Sequence, residues 1–292
     1  MAGILAIVMT SVLWGTTGTA ATFAPAAGPL AIGAAALGIG GLLQALIAVP
    51  ALKFDSSILK RHWQIVALGA AAVWVYPLAF YSSMRLAGVA VGSVISLATA
   101  PLFSGLLQRI VDREPLGLRW YVAALLGIAG ALLIGSADLA NVIPQESLGP
   151  GILLGLVAGA TYATYSWAVG RLLRSGVSRA AAMGSVFGAG GALLLPVLFA
   201  TGAPLVASMP AFQVAAYMAL VPMFLGYVLF GYGLTKVHAA TATTITLIEP
   251  AVASLLSVWV VGERLALQAW VGIALFGVVL ILLAIPARRR KA

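Results

Sequence analysis

Apolar residues run along this chain in blocks of about 20, each bounded by a charge, a proline or a glycine. A helical block of that length matches the roughly 30 Å hydrocarbon core of a bilayer. Reading block by block predicts ten helices, at 3–23, 30–51, 63–85, 89–110, 118–136, 149–170, 179–200, 211–235, 239–261 and 267–286. The connections are short and leave no room for a soluble domain. The first block lacks a basic leader and is too long for a signal-peptide core, so it is expected to stay in the mature protein.

Composition strengthens this reading. Of 292 residues, 62% are hydrophobic and 8% charged, with a mean hydropathy of +1.11. A soluble domain carries about 25% charged residues, so the chain is an integral membrane protein in a lipid bilayer. Cysteine is absent, which removes disulfides, zinc–thiolate sites and thiol catalysis. His62 and His238 stand alone beside loops and make no metal site, so neither metal nor cofactor is expected.

The net charge of +9 might suggest nucleic acid, but its placement argues otherwise. With the N-terminus inside, one side holds Lys53, Lys60 and Arg61; Arg109, Arg113 and Arg119; and Arg171, Arg174 and Arg179. It also holds Lys236 and the terminal Arg288, Arg289, Arg290 and Lys291, whereas only Arg85 and Arg264 fall opposite. Basic residues concentrate on the cytoplasmic side of membrane proteins, so both termini are expected there.

The prolines show an internal repeat. Pro101 precedes Glu114 by 13 residues, as Pro250 precedes Glu263, with both pairs offset by 149. Pro77 against Pro222 (offset 145) and Pro50 against Pro196 (offset 146) follow the same shift. Two units result, 1–136 and 149–286, each of five helices. Five is odd, so the second enters the membrane inverted. Inverted repeats with broken helices are a signature of secondary transporters, whose site lies near the midplane. The expected fold class is therefore an all-α integral membrane protein of ten transmembrane helices in two inverted five-helix repeats. Pro77, Pro101, Pro222 and Pro250 are expected to break or bend their helices, those at 101 and 250 around one central cavity.

Glu249 lies inside an otherwise uncharged run, 241–261, near the membrane midplane. A charge at that depth costs at least about 2.5 kcal/mol, which marks it as a functional candidate. The alternative is a structural carboxyl bonded to a neighbouring helix. Tyr162 and Tyr165, three apart on one helix face, are candidates for an apolar substrate wall. Trp74, Tyr76, Tyr81 and Tyr227 lie at similar depth, as do the hydroxyls of Thr99 and Thr244. Trp63, Trp120, Trp259 and Trp270 sit near helix ends, where the interface favours tryptophan. Small residues at four-residue spacing, Gly151, Gly155 and Gly159 and also Gly88, Gly92, Ser96 and Ala100, read as packing surfaces.

Trp14-Gly15, the duplicated Pro-to-Glu spacing and two five-helix halves resemble the drug/metabolite transporter superfamily, EamA type, over the whole chain. Within it, the length and aromatic interior look most similar to the YddG-type amino-acid exporters. The chain departs from many members in having no arginine in its second helix, residues 30–51. The resemblance implies alternating-access export of amino acids and related metabolites from the cytoplasm of a bacterial cell, across the inner membrane. Hydrophobic or aromatic amino acids suit the tyrosines and tryptophans. A proton-coupled exporter of lipophilic cations is the alternative, with Glu249 attracting the cation. Sugar phosphates would need buried cations, and the spans hold few basic residues, with Arg85 and Arg109 near helix ends. An enzyme is not expected, since no buried His, no Cys and no second intramembrane carboxylate accompany Glu249. The expected partners are a small-molecule substrate and the bilayer, with the protein acting as a monomer rather than a dimer.

Overall fold

The computed structural model describes residues 1–136, 145–256, 258–259 and 266–284, and every regular element among them is helical. In order these are α1 (Ala2–Gly15), α2 (Thr17–Ala21), α3 (Pro29–Phe54), α4 (Ser56–Arg61), α5 (Trp63–Ala87), α6 (Val89–Ile110) and α7 (Leu118–Ser136). Then follow α8 (Gln145–Arg174), α9 (Arg179–Thr201), α10 (Ala203–Val206), α11 (Met209–Met218), α12 (Gly226–Leu234), α13 (Ala239–Ile245), α14 (Glu249–Leu256) and α15 (Leu267–Ala284). Among the described residues, eight stretches are long and apolar enough to cross a membrane: α1–α2, α3, α5, most of α6, most of α8, α9, α11–α12 and α13–α14. Two shorter apolar stretches, Leu118–Ile134 and Leu267–Leu283, stand where the fifth and tenth blocks are expected. Glu263, Arg264 and the basic tail from Arg288 to Lys291 lie outside the described residues.

Each helix turns an apolar face outward and a small or aromatic face inward. On α1, Leu5, Met9 and Val12 are exposed, while Gly3, Ile7, Thr10 and Trp14 are buried. These are two stripes of one 3.6-residue period. An outward apolar stripe is what hydrocarbon requires, with the backbone bonded within each helix. The inward stripe carries the small residues. Gly151, Gly155 and Gly159 of α8 meet Ala87, then Ile95 and Ser83, then Thr99 and Ser96, so this stripe packs on α5 and α6, whereas Gly92 of α6 abuts Ser83 and Met84 of α5. A methyl group at 159 would collide with the Thr99 hydroxyl. Gly88 turns the chain between α5 and α6 at φ 83°, a conformation that residues with a side chain avoid.

The packing pairs are specific. α3 lies along α9, α5 along α8 and α7 along α15. α6 packs on α8 and α13, while α1 packs on α12 and on α13–α14. α5 also meets α9, and α3 meets the segment between α11 and α12.

The prolines behave in two ways. Pro222 lies in a π-helical segment, Ala219–Leu225, whose wider turn absorbs the missing N–H. Pro250 opens α14 directly after a 3₁₀ turn, Thr246–Ile248, where an unpaired N–H would be tolerated anyway. Pro77 and Pro101 correct the expectation of a break: α5 and α6 run through them as continuous α-helices. Losing one ladder bond is not enough to end a helix held on several sides by neighbours.

One end of the molecule is tied by charge. The Asp112 carboxylate, 3% exposed, accepts from Arg171 Nη1 at 2.5 Å, Arg174 Nη2 at 2.6 Å and Trp167 Nε1 at 2.9 Å. Asp55 accepts from the Ser178 backbone N–H at 2.8 Å, and Glu114 faces His238 at 3.2 Å. These contacts gather the connections near residues 55, 112, 175 and 238 at a single end.

Candidate functional site

At the centre lies a cavity walled by five helical segments. α1 and α2 supply Trp14 and Thr17, α3 supplies Gly33, Ala36 and Leu37, and α14 supplies Glu249. α5 supplies Tyr76, Pro77, Phe80 and Tyr81, while Met223 and Tyr227 come from the π-helical segment and α12. The space open to the centre of a water molecule is about 20 Å³, room for about one water. The cavity is closed around its own side chains.

Local sequence explains the wall. Residues 76, 77, 80 and 81 fall on one face of α5, as 33, 36 and 37 do on α3. Gly33 lets these faces meet: a Cβ there would stand 2.9 Å from the Tyr81 ring and 3.1 Å from Pro77 Cβ. Trp14 is fixed by its Nε1–H, which donates to the Pro222 carbonyl at 2.9 Å. Its ring stands 4.8 Å from Tyr227, 5.4 Å from Phe230 and 6.0 Å from Tyr162, within the range of favourable aromatic pairs.

Three donors from the first half hold the π-helical region in place. Besides Trp14, Gln44 Nε2 donates to the Phe224 carbonyl at 2.8 Å, and Thr10 Oγ1 bonds the Gly226 carbonyl at 3.1 Å. A π-segment leaves carbonyls without helical partners, and these side chains take them up.

The sequence candidates divide. Glu249, Tyr76, Pro77, Tyr81 and Tyr227 line the cavity together. Tyr162 and Tyr165 form a layer behind it, with ring centres 5.7 and 5.6 Å from Tyr76. Their hydroxyls are engaged, Tyr162 with Thr246 and Tyr165 with Tyr227, both at 2.7 Å. Trp74 is not in the wall: it is 39% exposed on the outer surface. Two residues from Tyr76 is about 200° around a helix, which points it the other way. Thr99 and Thr244 are also outside the wall, each donating at 2.7 Å to a carbonyl of its own helix, Ile95 and Ala240. Pro101 is buried, and among the described residues α6 contributes nothing to the cavity. Pro222 and Pro250 shape the backbone behind the wall rather than line it. Of the interfacial tryptophans, Trp63, Trp259 and Trp270 are exposed, while Trp120 is buried and donates to the Ala240 carbonyl at 3.0 Å.

The sequence reading missed Phe80, Met223, Thr17 and the small α3 face as wall residues, and it placed Trp14 among the deep aromatics and in a motif without naming it as a site residue. Phe80 was accessible to it, one turn beyond Tyr76. The Gly33 face was not, because small residues look alike wherever helices touch. No side-chain hydrogen bond or ion pair engages Glu249 among the described residues, and no Lys, Arg or His stands in the cavity wall.

A carboxyl group set among aromatic rings is thus enclosed by helices long and apolar enough to cross a membrane. A sequence profile of the EamA-like transporter family matches residues 1–136 and 149–285, and the chain belongs to that family, within the drug/metabolite transporter superfamily. It is a multi-pass protein of the bacterial inner membrane. It is 33% identical over 288 residues to YwfM of Bacillus subtilis (strain 168), named an uncharacterized transporter, covering 98% of this chain and 95% of that one. It is 28% identical over 198 residues to YedA of Escherichia coli (strain K12), named an uncharacterized inner membrane transporter, covering 65% and 61%. One crystal structure superposes with a TM-score of 0.79 over 99% of both chains at 19% identity, a likeness of fold.

Proposed function

We propose that this protein exports amino acids, preferring hydrophobic or aromatic ones, and related metabolites by alternating access, either facilitatively or coupled to an ion gradient. The observation that carries this reading is the central cavity, where one carboxylate faces aromatic walls. The carboxylate suits the substrate ammonium, and the rings suit its apolar body. A cavity closed down to one water must open to admit substrate, as alternating access requires.

The architecture proposed is ten spans in two inverted halves, 1–136 and 149–286, with both termini cytoplasmic. The packing pairs support it. Exchanging the halves turns the third-with-sixth pair (α5 on α8) into the eighth-with-first pair (α12 on α1), and both occur. It turns the third-with-seventh pair (α5 on α9) into the eighth-with-second pair (the π-segment on α3), and both occur. The pairs α3 with α9, α6 with α13 and α7 with α15 map onto themselves. One chain encloses the whole cavity, which favours a monomer as the working unit.

A second reading is favoured by the charge inventory. Among the described residues Glu249 is the one charged side chain in the wall, and none of them brings a cation to meet a substrate carboxylate there. A lipophilic cation, exchanged for a proton, would need no such partner. Counterflow in liposomes with labelled phenylalanine, phenethylamine and tetraphenylphosphonium separates the two. Phenylalanine exchange is the expected result. Exchange of tetraphenylphosphonium alone transfers the assignment to the cation reading, and exchange of none of the three rejects both.

A further inference from the structure

Beyond the central cavity lies a second, larger hollow of about 410 Å³. Its wall shares α2 and α14 with the first and adds α11, toward the end that carries residues 19–23 and 208–213. Thr17 lines the cavity, whereas Thr16 and Thr19 line the hollow. Glu249 lines the cavity, and Leu256 on the same helix lines the hollow. A separation of seven residues keeps these two on one face, so a single stripe of α14 runs from one space to the other. Met223 lines the cavity and Tyr217 lines the hollow. Tyr81 and Met223 of the cavity and Tyr217 and Ala20 of the hollow all pack on one apolar cluster, which itself includes Ala36 of the cavity wall and Val214 of the hollow, so it adjoins both spaces.

A side-chain hydrogen bond ties two residues of the hollow's wall, one of them next in sequence to Thr17 of the cavity. Thr16 Oγ1 and the Tyr217 hydroxyl are 2.7 Å apart. The Thr16 hydroxyl donates its proton to the Leu13 carbonyl at 2.6 Å, so Tyr217 is the donor between them. Both ends of the bond adjoin irregular backbone. Thr16 is the residue between α1 and α2, and Tyr217 is two residues before the π-helical segment. Such interruptions are where a helix can re-aim its end.

We propose that the hollow is the outer half of the translocation path and that the Thr16–Tyr217 bond is the gate between it and the central cavity. This rests on the transport reading and adds a route and a partition to it. The hollow takes amphipathic organic amines in passage. Its wall residues carry no charge: three hydroxyls, from Thr16, Thr19 and Tyr217, and the Gln213 amide stand among Phe23, Val214 and Leu256. Neutral groups can bond a polar head without retaining it, which release requires. The opposite end of the molecule is tied by several contacts at once, the three donors on Asp112 together with Asp55–Ser178 and Glu114–His238.

The absence of cysteine makes the test direct, since any introduced cysteine is the sole thiol. Ala36→Cys places one on the cavity wall, and Phe23→Cys places one on the exposed part of the hollow. Each is labelled in oriented vesicles with a small, impermeant, cationic methanethiosulfonate. Tyr217→Phe keeps the ring and removes the donor, and Thr16→Val removes the acceptor. Either is expected to speed Ala36→Cys labelling from the residue-23 face by about 2- to 12-fold, the factor one net hydrogen bond supplies. The double variant should add nothing further, because both remove the same bond. Labelling of Phe23→Cys should be unchanged throughout, which reports an intact fold. Unchanged Ala36→Cys labelling in both variants, or acceleration only from the opposite face, overturns the gate. The labelling needs no substrate, so it fails or holds separately from the counterflow assay.

Discussion

Asp112 and Asp55 each accept from fixed donors and Glu114 faces His238, whereas Glu249 turns to the cavity with no side-chain partner among the described residues. A carboxyl kept for structure would be expected to show a bond, so the geometry supports a substrate role. Glu249→Gln keeps shape and hydrogen bonding but removes charge. An ammonium–carboxylate bond contributes about 1.5–3 kcal/mol against about 0.5–1.5 for its neutral counterpart, so counterflow of an amine substrate should weaken by about 5- to 13-fold. The amount of folded protein should not change, since no partner is lost. Wild-type affinity for amines in the Gln variant would make Glu249 structural. If its proton exchanges with substrate, the same variant also removes the pH dependence of counterflow. Glu249 was legible because charge in an apolar run is conspicuous. Tyr76 and Tyr81 were legible as deep aromatics, but depth says nothing of direction, and so Trp74 was grouped with them. Tyr162 and Tyr165 did share a face, yet the partners that occupy their hydroxyls, Thr246 and Tyr227, lie far away in sequence.

Among the helices, apolar block length was the legible quantity, and it placed eight crossings close to where the structure has them. Proline was a poorer guide. Pro101 matches Pro250 in spacing, but one sits in a continuous helix and the other follows a 3₁₀ turn. What decides is whether other side chains can serve the backbone locally, and that is a tertiary property. The π-helical segment illustrates it, because Gln44, Trp14 and Thr10 come from helices about 200 residues earlier in the chain. Gln44→Leu should therefore destabilise the protein in detergent by about 0.6–2 kcal/mol, the range for bonds between membrane helices. Thermal unfolding with and without the variant measures it. Gln44→Glu retains the length but offers a carboxylate to the Phe224 carbonyl and should not rescue. Full stability in Gln44→Leu would show that the Gln44 bond adds nothing to holding the π-segment.

At the scale of the molecule, charge and packing converge on one end. The contacts Asp55 with Ser178, Asp112 with Arg171 and Arg174, and Glu114 with His238 join connections that also hold Lys53, Lys60, Arg113 and Lys236. Arg85 stands apart from them, against a surface hollow with Gly28 and Thr201. A bilayer sorts such asymmetry, because basic connections are retained in the cytoplasm during insertion. Single cysteines at Ser57 and Ser175 should thus react with impermeant maleimide only in inside-out vesicles, and those at Thr22 and Ser208 only in intact cells. Ser57 and Ser175 also lie in different halves, on connections after the second and sixth blocks. Both can face the cytoplasm only if an even number of crossings separates them, which requires α7 to span despite its shorter apolar stretch. Labelling of Ser57 and Ser175 from opposite sides would remove that crossing, and the inverted pairing of the halves with it.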